Sequence, residues 1–227
     1  MTARLALVAA TGLLTIGVEA RGPETATIAA WDAFVAGAER KVHSCECGAS
    51  QPEGRTFEVP GGVIHQWRGS VFIRGVTVDN AVDALMSRGI PPPQDEVLES
   101  RVLSRSGDSL VVYLKMSRRA LVTVTYDTEH VVTFERLSST SAVSRSVATR
   151  IEETGRRERG FLWRLNSYWR YEQEADGVRI EAESLSLSRP VPVLLKPAAS
   201  PIISRVGRES MARTLDAMRK FLVGRAS

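Results

Sequence analysis

Three histidines and two cysteines are all that this 227-residue chain offers toward metal or redox chemistry. His43, His65 and His130 stand at no ligand spacing to one another, and the cysteines sit together in His43-Ser44-Cys45-Glu46-Cys47 with no second pair elsewhere. Ordinary zinc sites recruit a second pair of ligands, so no metal site is assigned. In an oxidising compartment the two thiols close at best a small, strained ring; otherwise they are an incidental pair in a loop. A glycine-rich phosphate loop and a serine elbow are also missing. No catalytic residue is assigned and no cofactor is expected. Tyr126-Asp127 and Glu129-His130 carry acid and base groups, yet they read as a polar turn.

Concentrated charge is lacking too. Lys and Arg number 30 against 26 Asp and Glu, a surplus of 4 spread along the chain. Nucleic-acid binders show a basic patch or stripe, so nucleic acid is not an expected partner. The one long apolar run, Leu5 to Val18, has about 14 residues against the roughly 20 that span a bilayer. It follows Arg4 and leads into Val18-Glu19-Ala20, the basic, apolar, small-residue succession of an export signal. The reading is a signal peptide over residues 1–20, cleaved after Ala20, and a protein exported to the periplasm or beyond; an uncleaved anchor is the rival.

The remainder has the composition of one globular domain, 43% hydrophobic and 25% charged. Thr25 to Val42 predicts a helix with Ile28, Trp31, Val35 and Val42 on one side, packing on the domain surface. Ser44 to Gly62 reads as a linker, which places an N-terminal helix and linker over residues 21–61 and the folded domain over 62–225. Val63 to Arg74 predicts a strand bent or bulged at Gly69. Val78 to Ser87 predicts a helix capped by Thr77 and stopped by Gly89 and the prolines 91–93.

Strands then follow one another: Val97 to Ser104, Leu110 to Met116, Ala120 to Tyr126, Val131 to Leu137 and Ser141 to Glu152. Gly160 to Arg189 holds two more. In the first, Phe161, Trp163, Leu165, Trp169 and Tyr171 alternate with Arg164, Asn166, Tyr168 and Arg170, predicting one aromatic and one polar face. An odd-sum register brings Arg145 near Asn166 and Tyr168 near Glu183, so that Arg145, Arg164, Asn166, Tyr168 and Glu183 share a face. That patch is either the solvated exterior or a head-group site inside a cavity. Pro190 to Pro201 reads as a loop, and Ser204 to Val223 as a helix with a stripe of Met211, Leu215, Met218 and Leu222.

This order of strand, helix, antiparallel meander and long C-terminal helix resembles the helix-grip fold of the START-like, or polyketide cyclase/dehydratase-like (SRPBCC), superfamily. The segments that carry the resemblance are IHQWRGSVFIRGVTVDNAVDAL, SRSVATRI, GFLWRLNSYWRYE and ESLSLSRPVP followed by GRESMARTL. The resemblance is greatest to exported bacterial members of unassigned function. It implies an α+β domain whose curved antiparallel sheet wraps around the C-terminal helix and encloses a cavity for a lipid, sterol or polyketide-like molecule. With the aromatic face, the polar patch and the helix stripe read above, the candidate ligand-binding residues are Trp163, Trp169, Arg145, Arg164, Asn166, Tyr168, Glu183, Met211, Leu215 and Met218. The expected partners are a hydrophobic small molecule and, transiently, a membrane. The alternatives are an enzyme of cyclase, dehydratase or hydrolase type using the same cavity, and an envelope structural protein with a filled core.

Overall fold

The computed structural model describes residues 22–44, 51–92, 94–119, 123–154 and 161–226. The expected leader and the Cys45–Cys47 pair lie outside these residues. The chain runs α1 (Thr25–Ser44), β1 (Glu53–Val59), β2 (Gly62–Arg74), α2 (Val78–Arg88), β3 (Val97–Ser106), β4 (Ser109–Arg119), β5 (Thr123–Arg136), β6 (Ser141–Thr154), β7 (Leu162–Glu174), β8 (Gly177–Ser188), a single 3-10 turn (Val193–Leu195) and α3 (Lys196–Ala226). All eight strands form one curved antiparallel sheet in the order β1-β2-β8-β7-β6-β5-β4-β3. After β2 the chain crosses by way of α2 to the far edge, then returns strand by strand until β8 pairs with β2.

Period-two alternation gives this sheet two different faces. On the concave face Val71, Ile73, Val178 and Ile180 pack with α2 and with Met211, Leu215, Met218 and Leu222 of α3. On the other face Ile64, Tyr168, Leu185 and Leu187 pack under Trp31 and Ala38 of α1. The N-terminal helix is therefore docked on the domain, as its stripe predicts. Thr27 hydrogen-bonds the Pro60 carbonyl, and Arg170 Nη1 donates to the Val42 carbonyl at 2.6 Å.

α2 starts and stops where its caps require. Thr77 Oγ1 accepts from the Asn80 amide at 3.2 Å, and Gly89 adopts φ 71°, the left-handed conformation that ends a helix cheaply.

Four expectations need correction. The stretch read as a linker carries β1, which turns back through Pro60 and Gly61 to pair along β2 from Val59↔Gly62 to Glu53↔Arg68. Gly69 carries no bulge, since β2 pairs with β8 without a register shift. Its missing side chain admits α3, because a β-carbon there would stand 2.9 Å from Leu215 Cδ1. Residues 123–136 form one strand rather than two, because Thr128 and His130 turn inward and the chain continues past them with a single bulge at Glu129/His130. Finally, the proline-bearing segment after β8 is largely helical. α3 begins at Lys196, with Pro197 in its first turn, where a missing amide is harmless.

Candidate functional site

Between the concave face and α3 lies a cavity of about 530 Å³. Its wall is mainly apolar, built from Leu110, Val112, Leu114 and Met116 of β4, Val124, Val132 and Phe134 of β5, Leu165 and Trp169 of β7, and Met211 and Met218 of α3. Each strand contributes alternate residues, so the lining follows from the pleat. The central strands carry small side chains here. Ser146, Ser167 and Ser184 are cross-strand neighbours, and all three line the cavity. A glycine at 207 lets Trp67 of β2 meet α3 directly, since a β-carbon on Gly207 would fall within the indole.

Polar groups are few and bonded. Glu96 pairs with Arg118 of β4 and with Arg213 of α3, while Ser210 Oγ donates to it at 2.8 Å. Arg118 also donates to Ser210 Oγ at 2.9 Å. The Arg118 side chain is 38% exposed and borders the cavity. Burial, reinforced by the neighbouring Arg213 charge, pushes the Arg118 guanidinium down to about 10. His130 is 4% exposed, and burial pushes its imidazole down to about 4. Burial likewise lowers His65, whose Nε2 lies 3.3 Å from Ser188 Oγ. No group of histidine, cysteine and carboxylate side chains placed to hold a metal exists among the described residues.

A long sheet gripping a long C-terminal helix, with the cavity between them, decides the architecture. The fold is a helix grip. Solved structures share it: a protein of Thermus thermophilus aligns over 71% of this chain and 99% of its own, with 12% identity and a TM-score of 0.52. The Zhui aromatase/cyclase of a Streptomyces species aligns over 72% of this chain and 96% of its own, with 12% identity and a TM-score of 0.50. No family model matches the chain, and no curated protein matches its sequence. The helix grip is the fold of the START-like superfamily that the sequence segments resemble.

Within this helix grip the residues singled out from sequence divide between the two faces. Trp169, Met211 and Met218 line the cavity; Leu215 instead packs into the apolar core with β2. Trp163 lies on the opposite face, against the Ile64, Leu185 and Leu187 cluster. A bulge between Leu162 and Arg164 shifts the register there, so Leu162 takes the cavity position and Trp163 is handed outward. Asn166 and Tyr168 are buried under α1, Asn166 donating to the Tyr168 hydroxyl at 3.0 Å. Arg164 is exposed and bonds the neighbouring Trp163 carbonyl.

Arg145 pairs with Tyr168, two residues from its expected neighbour Asn166, a shift that preserves the face. Arg145 and Glu183 border the cavity along their strands, but their charged ends are engaged elsewhere. Arg145 donates to Glu39 of α1 at 3.2 Å, and Glu183 accepts from Gln66 at 2.6 Å. The predicted polar patch is thus a shared face, with Asn166 and Tyr168 buried under α1 and Arg164 left exposed.

Sequence reasoning missed His65, Trp67, Glu96, Arg118, Tyr126, His130 and Ser146, all of which line the cavity. A signal for some of them existed. Val124, Tyr126, Thr128, His130, Val132 and Phe134 keep unbroken alternation through the stretch read as a turn.

Proposed function

We propose that this protein binds and carries an apolar small molecule between its sheet and α3. The supporting observation is the cavity, whose size falls within the roughly 300–1,000 Å³ of small-molecule sites and whose few polar groups are set in an apolar wall. An apolar occupant is favoured because it takes this apolar wall out of water. A filled structural core does not describe this space.

The mouth suggests how the ligand is exchanged. Val191 lines the cavity, and the turn that follows exposes Val193, Leu194 and Leu195 by 77%, 94% and 55%. Arg189 and Lys196 flank this apolar tip in sequence, Lys196 pairing with Glu58 at 2.6 Å. An apolar tip with basic flanks suits the boundary of an anionic bilayer, which is the transient membrane partner in this reading. Residues 1–20 serve in the same reading as the export signal, so that the carrier works outside the cytoplasm.

Native mass spectrometry of the full chain purified from its own host, with solvent extraction of any bound molecule, tests the proposal. An intact co-purified lipid-like molecule is expected, on a polypeptide beginning at Arg21. A converted product in the cavity would overturn the carrier reading in favour of an enzyme, and a retained leader would overturn cleavage.

A further inference from the structure

One polar chain in the cavity wall has an enforced direction. Thr128 Oγ1 of β5 donates to the main-chain carbonyl of Leu114 on β4, 3.0 Å away. A carbonyl only accepts, so the single proton of the threonine hydroxyl is committed and its oxygen keeps only lone pairs. Those lone pairs face His130 Nε2 at 3.0 Å. Nε2 therefore carries the ring proton. Burial keeps the ring neutral, so Nδ1 is a bare acceptor, and Ser146 Oγ stands 3.1 Å from it. Between a bare ring nitrogen and a hydroxyl, the hydroxyl must donate.

The consequence concerns the cavity. Ser146 lines it, has spent its own proton on His130, and offers only lone pairs to whatever lies inside. Next to it across β7 and β8 stand Ser167 and Ser184, small side chains that leave room above the acceptor.

We propose that Ser146 is a ligand-orienting acceptor, fixed in that role by His130 and Thr128, and that it selects an apolar ligand bearing a hydrogen-bond donor, a hydroxyl or N–H, over one bearing a ketone, ether or ester oxygen. The assignment rests on the reading of the cavity as a ligand site. Serine beside histidine also resembles a nucleophile and its base, but Thr128 is neutral and gives an imidazolium no stabilising charge. A ring held neutral by burial is also a poor base near neutral pH. The arrangement recognises rather than reacts.

The test uses the full chain, an apolar fluorophore bound in the cavity, and two competitors of one skeleton, a secondary dodecanol and the corresponding dodecanone. The wild type is expected to bind the alcohol about tenfold more tightly, the value of one well-placed hydrogen bond against one unpaired acceptor. Ser146→Ala should bring the two competitors to near equality while both still displace the fluorophore. Thr128→Val frees the ring tautomer and lets Ser146 donate, so it should narrow the preference by improving ketone binding, which a merely structural role would not do. Equal displacement by both competitors in the wild type, or a preference that survives Ser146→Ala, overturns the assignment and leaves the cavity reading intact. Failure of the fluorophore and both competitors to bind the wild type overturns the cavity reading and the assignment together.

Discussion

The indole of Trp67 occupies the space where a side chain on Gly207 would have to sit. Gly207 is inside α3, where helix propensity alone makes alanine better by about 1 kcal/mol. Contact with the sheet reverses that preference. Gly207→Ala is expected to lower stability by about 1–3 kcal/mol, the range for overpacking, and to shift tryptophan emission as the indole or the helix moves. Denaturant unfolding followed by fluorescence checks both. A more stable Gly207→Ala variant would show that α3 does not rest on Trp67.

Acid should destabilise the protein through His130. Its folded imidazole is pushed down to about 4, whereas an unfolded histidine titrates near 6.5. The unfolded chain takes up the proton first, so the contribution is complete above about pH 6.5 and falls on the order of 3 kcal/mol on the way to about pH 4. His65, also lowered by burial, acts in the same direction. Unfolding free energies of wild type and His130→Gln across this window should converge at the acid end. Parallel curves would refute the linkage.

The two tryptophans of β7 should separate. Trp169 lines the cavity and Trp163 packs under α1. Trp169→Ala is expected to weaken binding of an apolar probe, whereas Trp163→Ala leaves affinity unchanged and costs about 3–5 kcal/mol of stability. Probe titration alongside thermal unfolding distinguishes them; loss of affinity in a folded Trp163→Ala variant contradicts the bulge-directed assignment.

Arg145→Leu removes an exposed ion pair to Glu39 and should cost no more than about 1 kcal/mol, with probe affinity unchanged. Reduced affinity in a well-folded variant would return this residue to the ligand site.

Leu194→Asp is expected to reduce sedimentation of the protein with phosphatidylserine-containing vesicles while leaving probe binding in the cavity intact. Unaltered sedimentation would remove the Val193–Leu195 tip from membrane docking.

The architecture was legible because periodicity reports which residues share a face. The aromatic-face positions 165, 169 and 171 and the α3 stripe fell on the face expected for them. Which face meets which helix was harder to read, since alternation is symmetric between the two and both faces carry a helix, α1 on the outer and α3 on the inner. Trp163 was misplaced by a single-residue bulge, and such a bulge inverts every alternation argument on its far side. His130 and Thr128 were hidden because polar residues between strands resemble a turn until their partners, Leu114 and Ser146, are known from distant strands. β1 was obscured by a polar segment at the sheet edge, where Phe57 and Val59 are its large apolar side chains.

The crossover through α2 splits the sheet's pairings into two kinds. β3 to β8 pair as successive hairpins, each from chain that lies nearby in sequence. β2, by contrast, pairs across more than a hundred residues of chain, Val63 with Ser188 and Arg74 with Gly177. α3 follows β8 and rests on β2, so the wall that faces the helix is stitched by the most sequence-distant contact in the sheet. Without that contact the β1–β2 hairpin would present an unpaired edge, and the helix would lose its seat.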